Sequence, residues 1–462
     1  MQAFGLSCQG GLNTNLNQFQ MLEQPGFATE LQNFEVSIDG GYRRINGYTL
    51  YGGGSAARPN SSNSILGLFV YADGVIACSG TNIYFSLDGE SWLQINRSSV
   101  SGSGDNYSTF TGRSTAARTT QGQATFALFE GNSVYGEVVI TDKGSGVKPA
   151  LFKMTGTGAL TDRTFFYEEI TVSGTHYPKF CTIHDKHLVV AGAATALNTI
   201  FYSGTSDIND FTSSGSGSIV LDDQVVGIKS FRGDLIIFCK NSIYKLSDIN
   251  ISASIAVTPI TQNVGCLDGH SIQEIGGDLL FLSPDGFRLV AGTARIGDVE
   301  LSSVSRQIQS IVSSIAGSID SFIISSAVLR NKSQYRLFYS SSTGSTATSK
   351  GIIGTITPNG FEWSETIGIQ AHGFTSGFNN DSVEKIYHGD GAGYVYNHNT
   401  GNDFNPAGTQ TNIDARYKTP NLDFGDAGTL KSLHYAKISF TPEGTIEPTL
   451  KITYDFDDTN RP

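Results

Sequence analysis

Side chains able to do chemistry are few and scattered in this chain. His184 and His187 flank what reads as a two-residue bend in Thr182-Ile-His-Asp-Lys-His-Leu-Val189. Two imidazoles so placed could share a metal ion, but a solvated turn is the commoner use of such a pair, and no ligand is assigned. Asp455, Asp457 and Asp458 could chelate calcium by carboxylate count. They lack the ordered spacing of a Ca²⁺ loop, and solubility accounts for them equally well. No nucleophile elbow, phosphate-binding glycine loop, His-Glu-x-x-His or EF-hand pattern occurs. The cysteines, Cys8, Cys78, Cys181, Cys239 and Cys266, are odd in number and never at C-x-x-C spacing. They read as buried free thiols of a reducing compartment, with structural zinc disfavoured.

The segment with the most definite local chemistry is Ser86-Leu-Asp88-Gly89-Glu-Ser-Trp92. A Ser, an Asp and a large aromatic around a hairpin bend let the carboxylate accept turn amides while the ring covers the hairpin. The stretch 203–211, with Ser203, Asp207 and Phe211, repeats the theme. Such Asp-turns recur in propellers, among them sialidases and related glycosidases. Those enzymes need an arginine cluster for the substrate carboxylate and a Tyr and Glu nucleophile pair. Arg43, Arg44, Arg288, Arg295, Arg306 and Arg330 are available, but nothing in their order brings three together. Ser86, Asp88, Gly89 and Trp92 are therefore expected to be structural. No catalytic residue, metal or cofactor is assigned, and the chain is expected not to be an enzyme.

These turns must sit on strands. The chain has 462 residues with 54 glycines and only 16% charged residues, a composition that fits neither a disordered polyelectrolyte nor a charged helical bundle. Apolar residues come in short runs bounded by Gly, Asn, Asp or Ser, as in short strands joined by tight turns. From 66 to 95 the chain reads as strand, turn 72–74, strand, turn 79–80, strand, turn 87–89, strand, with Asp-Gly at two bends where positive φ is wanted. That is the size of one propeller blade. The grammar recurs from Ala124, Lys179, Val226, Ile272, Phe322 and His372, giving six or seven units at spacings of about 50 residues. The predicted fold is all-β: a β-propeller of six or seven blades with one inserted helix and the start of a C-terminal β-sandwich domain.

The helix is predicted from apolar residues at 301, 304, 308 and 311, with Asp298 or Ser302 as cap. Packing on a blade's flank is its expected role. The sandwich is suggested by alternation in 434–440 and 449–454. The expected division is thus an N-terminal lead segment 1–50, a propeller 51–412 and a partial sandwich or platform domain 413–462.

A formal charge of −12 is the wrong sign for wrapping nucleic acid. The apolar runs fall far short of the roughly 20 residues that span a bilayer, and residues 1–10 lack the basic start and apolar core of a signal peptide. No membrane segment and no sequence-specific DNA binding are expected.

The lead segment carries the most distinctive pattern. Asn33-Phe34, a spacer ending in Gly40-Gly41, then Arg43-Arg44 and Gly47-Tyr48 together resemble the start of tailed-phage virion proteins that form the distal tail. The runs 226–244 and 280–287 and the helix from Leu301 look like central blades of the packaged-DNA stabilisation protein and tail nozzle of short-tailed phages. Residues 419–431 are similar to the start of a domain that follows such propellers, although the longer nozzle proteins continue well beyond the length of this chain. The resemblance implies a structural virion protein, assembled in the host cytoplasm into a ring, hexameric in the family, around the DNA exit channel. Its implied partners are other copies of itself, the adaptor and portal, tail fibres, and genomic DNA in transit during ejection. Asn33, Phe34, Arg43 and Arg44 are the candidate assembly residues. An acidic, charge-poor surface suits a conduit that must not trap a polyanion. The competing expectation is a carbohydrate-binding or receptor-binding virion propeller, less favourably a glycosidase, motivated by the Ser86 to Trp92 turn and the 28 Phe and 19 Tyr. A cellular scaffold of the WD type ranks last, because Gly-His and Trp-Asp signatures are missing.

Overall fold

The structure, a computed structural model, describes residues 4–37, 40–60, 63–96, 122–131, 133–144, 146–174, 176–251, 254–290, 303–426, 429, 431–442 and 447–453. It is a seven-bladed β-propeller. Blade 1 comprises Ile65–Tyr71, Gly74–Ser79, Asn82–Ser86 and Leu93–Gln94. Blades 2 to 4 are built the same way, with innermost strands Ala124–Phe129, Phe180–His184 and Val225–Phe231. Blade 5 has three strands, Gln273–Ile275, Asp278–Ser283 and Gly286–Leu289. Blade 6 begins with Phe322–Leu329 and ends with Gly360–Ile367, and two further strands, Glu30–Gln32 and Arg416–Lys418, extend its outer edge. Blade 7 comprises Gly373–Phe378, Glu384–Gly389 and Val395–His398, and its outermost strand is Tyr48–Leu50 from the N-terminal arm.

Apolar packing explains why the strands read as nearly continuous apolar runs. Each sheet is covered on both faces, so alternation between core and solvent is lost. The described core divides into seven clusters, one for each seam between neighbouring blades. In the seam between blades 1 and 2, Tyr71 meets Phe152 edge to face, Phe152 stacks on Phe165, and Phe85 lies tilted against Phe165.

Hairpin bends supply the left-handed residues that the strand twist demands. Asp185 and Lys186 both have positive φ, as do Gly276 and Gly277, matching the turns that fit a right-handed twist. The bend after the first strand of blade 1 departs from the sequence expectation. Ala72 takes the positive φ of 52°, and Gly74 already pairs with Tyr71 inside the ladder. Glycine is needed at 74 for space, because a Cβ there would lie 2.3 Å from the Ser86 carbonyl oxygen.

The inserted helix is present but begins later than its apolar periodicity suggested. A single 3₁₀ turn, Arg306–Ile308, leads into the α-helix Gln309–Gly317. Ile308, Val312 and Ile315 are buried in the seam between blades 5 and 6 with Phe287 and Trp363. Upstream of the helix, the Val304 amide donates to the Phe287 carbonyl, so this segment covers the edge of the three-stranded blade. The proposed caps Asp298 and Ser302 lie outside the described residues. Among the described residues, 419–453 contain no strand, and 434–440 and 449–453 join no sheet. No helix among the described residues is long and apolar enough to cross a membrane.

Candidate functional site

The arm residues singled out by the sequence converge on the outer side of blades 6 and 7. Asn33 adopts a left-handed φ of 56° between Glu30–Gln32 and the next strand, Phe34–Val36. Every polar group of this buried residue is used inside the chain. Its Nδ2 donates to the Asp414 carbonyl at 2.8 Å, and its Oδ1 accepts the Ile367 amide at 2.9 Å. Its backbone amide bonds Glu365, and its carbonyl accepts from Ile45. Phe34 is half-buried against the core cluster that contains Trp363. The strand Tyr42–Arg44 pairs antiparallel with Phe34–Val36, leaving Arg43 exposed and Arg44 half-buried. Of these four residues, Arg43 is the one the fold leaves exposed, whereas Asn33 acts as an internal clamp.

A buried ion-pair network lies directly beside them. Glu35 is 2% exposed and its carboxylate is held from both oxygens. Lys332 Nζ lies 2.7 Å from Oε1, and an Arg336 guanidinium nitrogen lies 2.8 Å from Oε2. Arg336, fully buried, also donates to Gln334 Oε1 and to His398 Nε2. A guanidinium has only donors, so His398 must accept at Nε2 and carry its proton on Nδ1. That proton points to His388 Nδ1, 3.2 Å away. Burial pushes both imidazoles down, His388 to about 3, so the rings are neutral. Burial pushes the Glu35 carboxyl up, but Arg336, Lys332 and the hydrogen bonds outweigh it and hold it below its ordinary value. The network ties the arm to blades 6 and 7. Glu35 belongs to no motif. Its signal, like that of Arg336, is a charged letter inside an apolar strand run, Phe34-Glu-Val36 and Tyr335-Arg-Leu-Phe338.

At the Asp-turn the carboxylate accepts turn amides, while the Trp92 ring packs toward Tyr51. Asp88 Oδ1 accepts the amides of Glu90 and Ser91, Ser86 Oγ accepts the Gly89 amide at 2.8 Å, and the Trp92 indole donates to the Ala57 carbonyl. Gly89 combines a positive φ with contact against Tyr51, which a Cβ would meet at 2.4 Å. The second stretch, around Ser203 and Phe211, occupies the same place in blade 3, after its third strand Ala196–Tyr202. There Asp210 takes the carboxylate role, accepting the Thr212 and Ser213 amides.

The two histidines differ from the solvated pair anticipated for the bend. Both are buried, because the bend itself is Asp185-Lys186 and both rings point into the seam between blades 3 and 4. His184 Nδ1 meets Ser230 Oγ at 2.9 Å, and His187 bonds the Ser203 carbonyl and Asn250. Among the described residues, no three His, Cys, Asp or Glu gather to hold a metal ion, and Asp455, Asp457 and Asp458 lie outside them. The arginines are engaged separately: Arg288 pairs with Asp285, and Arg330 approaches Glu384 at 3.8 Å. Arg295 lies outside the described residues. The cysteines are free thiols, four of them buried, and burial pushes Cys181, Cys239 and Cys266 up to about 12.

The axial channel holds a cavity of about 230 Å³ lined by all seven innermost strands. It is bridged at the end where those strands begin. Gln123, just before blade 2, donates at 2.6 Å to the Ile324 carbonyl of blade 6, on the far side of the axis. Lys143 pairs with Asp268 at 2.8 Å, and His270 Nε2 reaches the Ala124 carbonyl at 3.3 Å. Burial pushes the Asp268 carboxyl up, but Lys143 and His270 overcome it and hold the group far below the usual carboxylate range. Asp268→Asn is expected to cost about 1.5–3 kcal/mol, the usual worth of a charge-assisted bond. Urea unfolding measures it, and a loss under about 0.5 kcal/mol would show that the bridge contributes nothing.

No protein-family model matches the chain, and no curated protein matches it. Among solved structures it is similar to one described as the extracellular domain of a hybrid two component system from B. thetaiotaomicron. The TM-score is 0.40 at 10% sequence identity, and the match covers 76% of this chain and 39% of that one.

Proposed function

We propose that this chain is a structural, non-enzymatic component of a bacteriophage tail, of the nozzle or DNA-retaining kind, with several copies forming a ring around the DNA exit path. The observation that carries this reading is the exposed apolar stretch beyond the propeller. Leu433, Tyr435, Ile438, Phe440, Leu450 and Ile452 are each at least 40% exposed in segments that join no sheet. Exposed apolar side chains in such number call for a protein partner, and in an assembling ring that partner is the neighbouring copy. The propeller axis itself offers DNA no passage. A cavity of about 230 Å³ crossed by hydrogen bonds is far too small for a duplex whose major groove alone is about 12 Å wide. The DNA path in this reading runs between copies, where the net charge of −12 disfavours adhesion to phosphate.

Electron microscopy and sedimentation of the purified protein test the proposal. Ring particles, and incorporation at the tail end of virions, are expected. A monodisperse monomer that never joins phage particles would remove it. Within this reading the Arg43→Ala, Arg44→Ala double variant is expected to weaken ring association at least about tenfold, as loss of interface charge pairs does. Unchanged sedimentation of that variant would restrict both arginines to the arm hairpin.

A further inference from the structure

The outer edges of the blades are closed unequally. Blade 6 is extended by two extra strands and blade 7 by Tyr48–Leu50, and the outermost strand of blade 1 spans only Leu93–Gln94. The outermost strand of blade 4, Ala256–Thr261, carries Pro259, which has no amide to offer a further strand. The outermost strand of blade 3, Gly217–Val220, has no proline. It pairs Gly217 with Tyr202 and Ile219 with Ile200, and the Leu221 amide donates to the Asn198 carbonyl at 2.8 Å. In an antiparallel ladder the alternate residues turn their backbone groups the other way, so the amides and carbonyls of Ser218 and Val220 face outward. They bond nothing among the described residues. Val220 is 70% exposed, and Leu197, on the same face of the sheet, 40%. An open edge of this kind is a template for another strand.

The chain also carries a segment that fits it. His434-Tyr-Ala-Lys-Ile-Ser-Phe440 joins no sheet, yet it alternates as a strand does, with Ala436, Ile438 and Phe440 on one side. Charge favours the match: residues 431–442 contain Lys431 and Lys437 and no acid, whereas the exposed Asp222 and then Asp223 follow the edge strand closely. The segment leaves the propeller at blade 6, after Arg416–Lys418. Blade 3 is three blades away in a wheel of seven, on the nearly opposite side, so the edge belongs to a second copy. Each copy then offers a strand on one side and an edge on the other, the head-to-tail contact from which a ring closes. Resting on the ring assembly stated above, we propose that residues 434–440 of one copy add as a fifth strand to the blade 3 edge of its neighbour. Ile438 and Phe440 cover Val220 and Leu197, and the two lysines offset the acid beside the receiving edge.

Sedimentation and electron microscopy of Ser218→Pro in the full chain are the direct test. Proline removes an outward amide and leaves the inward bonds to Ala196–Tyr202 in place. It is expected to weaken ring association at least about tenfold while the monomer keeps its fold. Rings of equal stability from wild type and variant overturn this contact and leave the ring reading standing, whereas a wild type that forms no rings overturns both. Variant rings that persist but no longer enter virions assign the edge to a different protein, which also overturns the contact. Should Ser218→Pro fail to fold, hydrogen exchange of the wild type decides the matter. Amides of Ser218, Val220 and 434–440 that slow together on assembly support the added strand. Amides of Ser218 and Val220 that exchange equally fast in ring and monomer defeat it.

Discussion

Glu35→Ala is expected to destabilise the protein by about 3–5 kcal/mol, the cost of stranding a buried charge. The variant leaves Arg336, fully buried, facing a void, with Lys332 deprived of its shortest contact. Glu35→Gln is the sharper probe, since it keeps the shape and removes the charge. The folded carboxyl sits below its ordinary value of 4.5, so the charge contributes fully above that pH. The contribution is lost as pH falls through the lower folded value. The gap in unfolding free energy between wild type and Glu35→Gln should therefore be widest near neutral pH and shrink on acidification below pH 4.5. A gap that is constant with pH, or a Glu35→Ala cost under about 1 kcal/mol, would mean that the network does not secure the arm.

Gly47→Val should be comparably severe for a different reason. Gly47 precedes the strand Tyr48–Leu50 that completes blade 7, and its amide and carbonyl bond Gly401 and Thr400. A Cβ at this position would sit 1.8 Å from the Asp403 carbonyl oxygen and 2.5 Å from its carbon. Backbone cannot rotate away as a side chain can, so the closing strand must move. Tyr48, 1% exposed and packed against His388, Tyr396 and Phe404, would move with it. A loss of about 3 kcal/mol or more is expected, at the upper end of overpacking costs. Limited proteolysis should then cut within residues 1–50 before the blades. A variant that unfolds at the wild-type midpoint and resists cleavage in the arm would show that the ring closes without this strand.

Both predictions concern places where charged or small residues meet partners more than 250 positions away along the chain, as Glu35 meets Arg336. Blade 1 was legible in the sequence down to its individual strands, because each hairpin is closed by neighbours in sequence and its bends carry Gly, Asn or Asp. The Asp-turn at Ser86 to Trp92 was legible for the same reason: its hydrogen bonds mostly span two or three residues. The helix was legible in kind but displaced in position, since tertiary contacts of Val312 and Ile315 with Phe287 and Trp363 select which turns are helical. The histidine bend shows the limit most plainly. Its local pattern fits a solvated turn, yet the seam between blades 3 and 4 buries both rings.

The order of letters thus determined what short-range forces decide: strand runs, bend residues, free thiols, the absence of familiar catalytic motifs and the net charge of −12. Only the tertiary structure decided the count of seven blades, the closure of the last one by the arm, the burial of Glu35 with Arg336, and the bridge across the axis. The physical reason is that each blade has two apolar faces and no core of its own. Stability resides in the seams, and a seam joins residues whose proximity is set by closure of the whole ring and leaves no periodic mark on either strand.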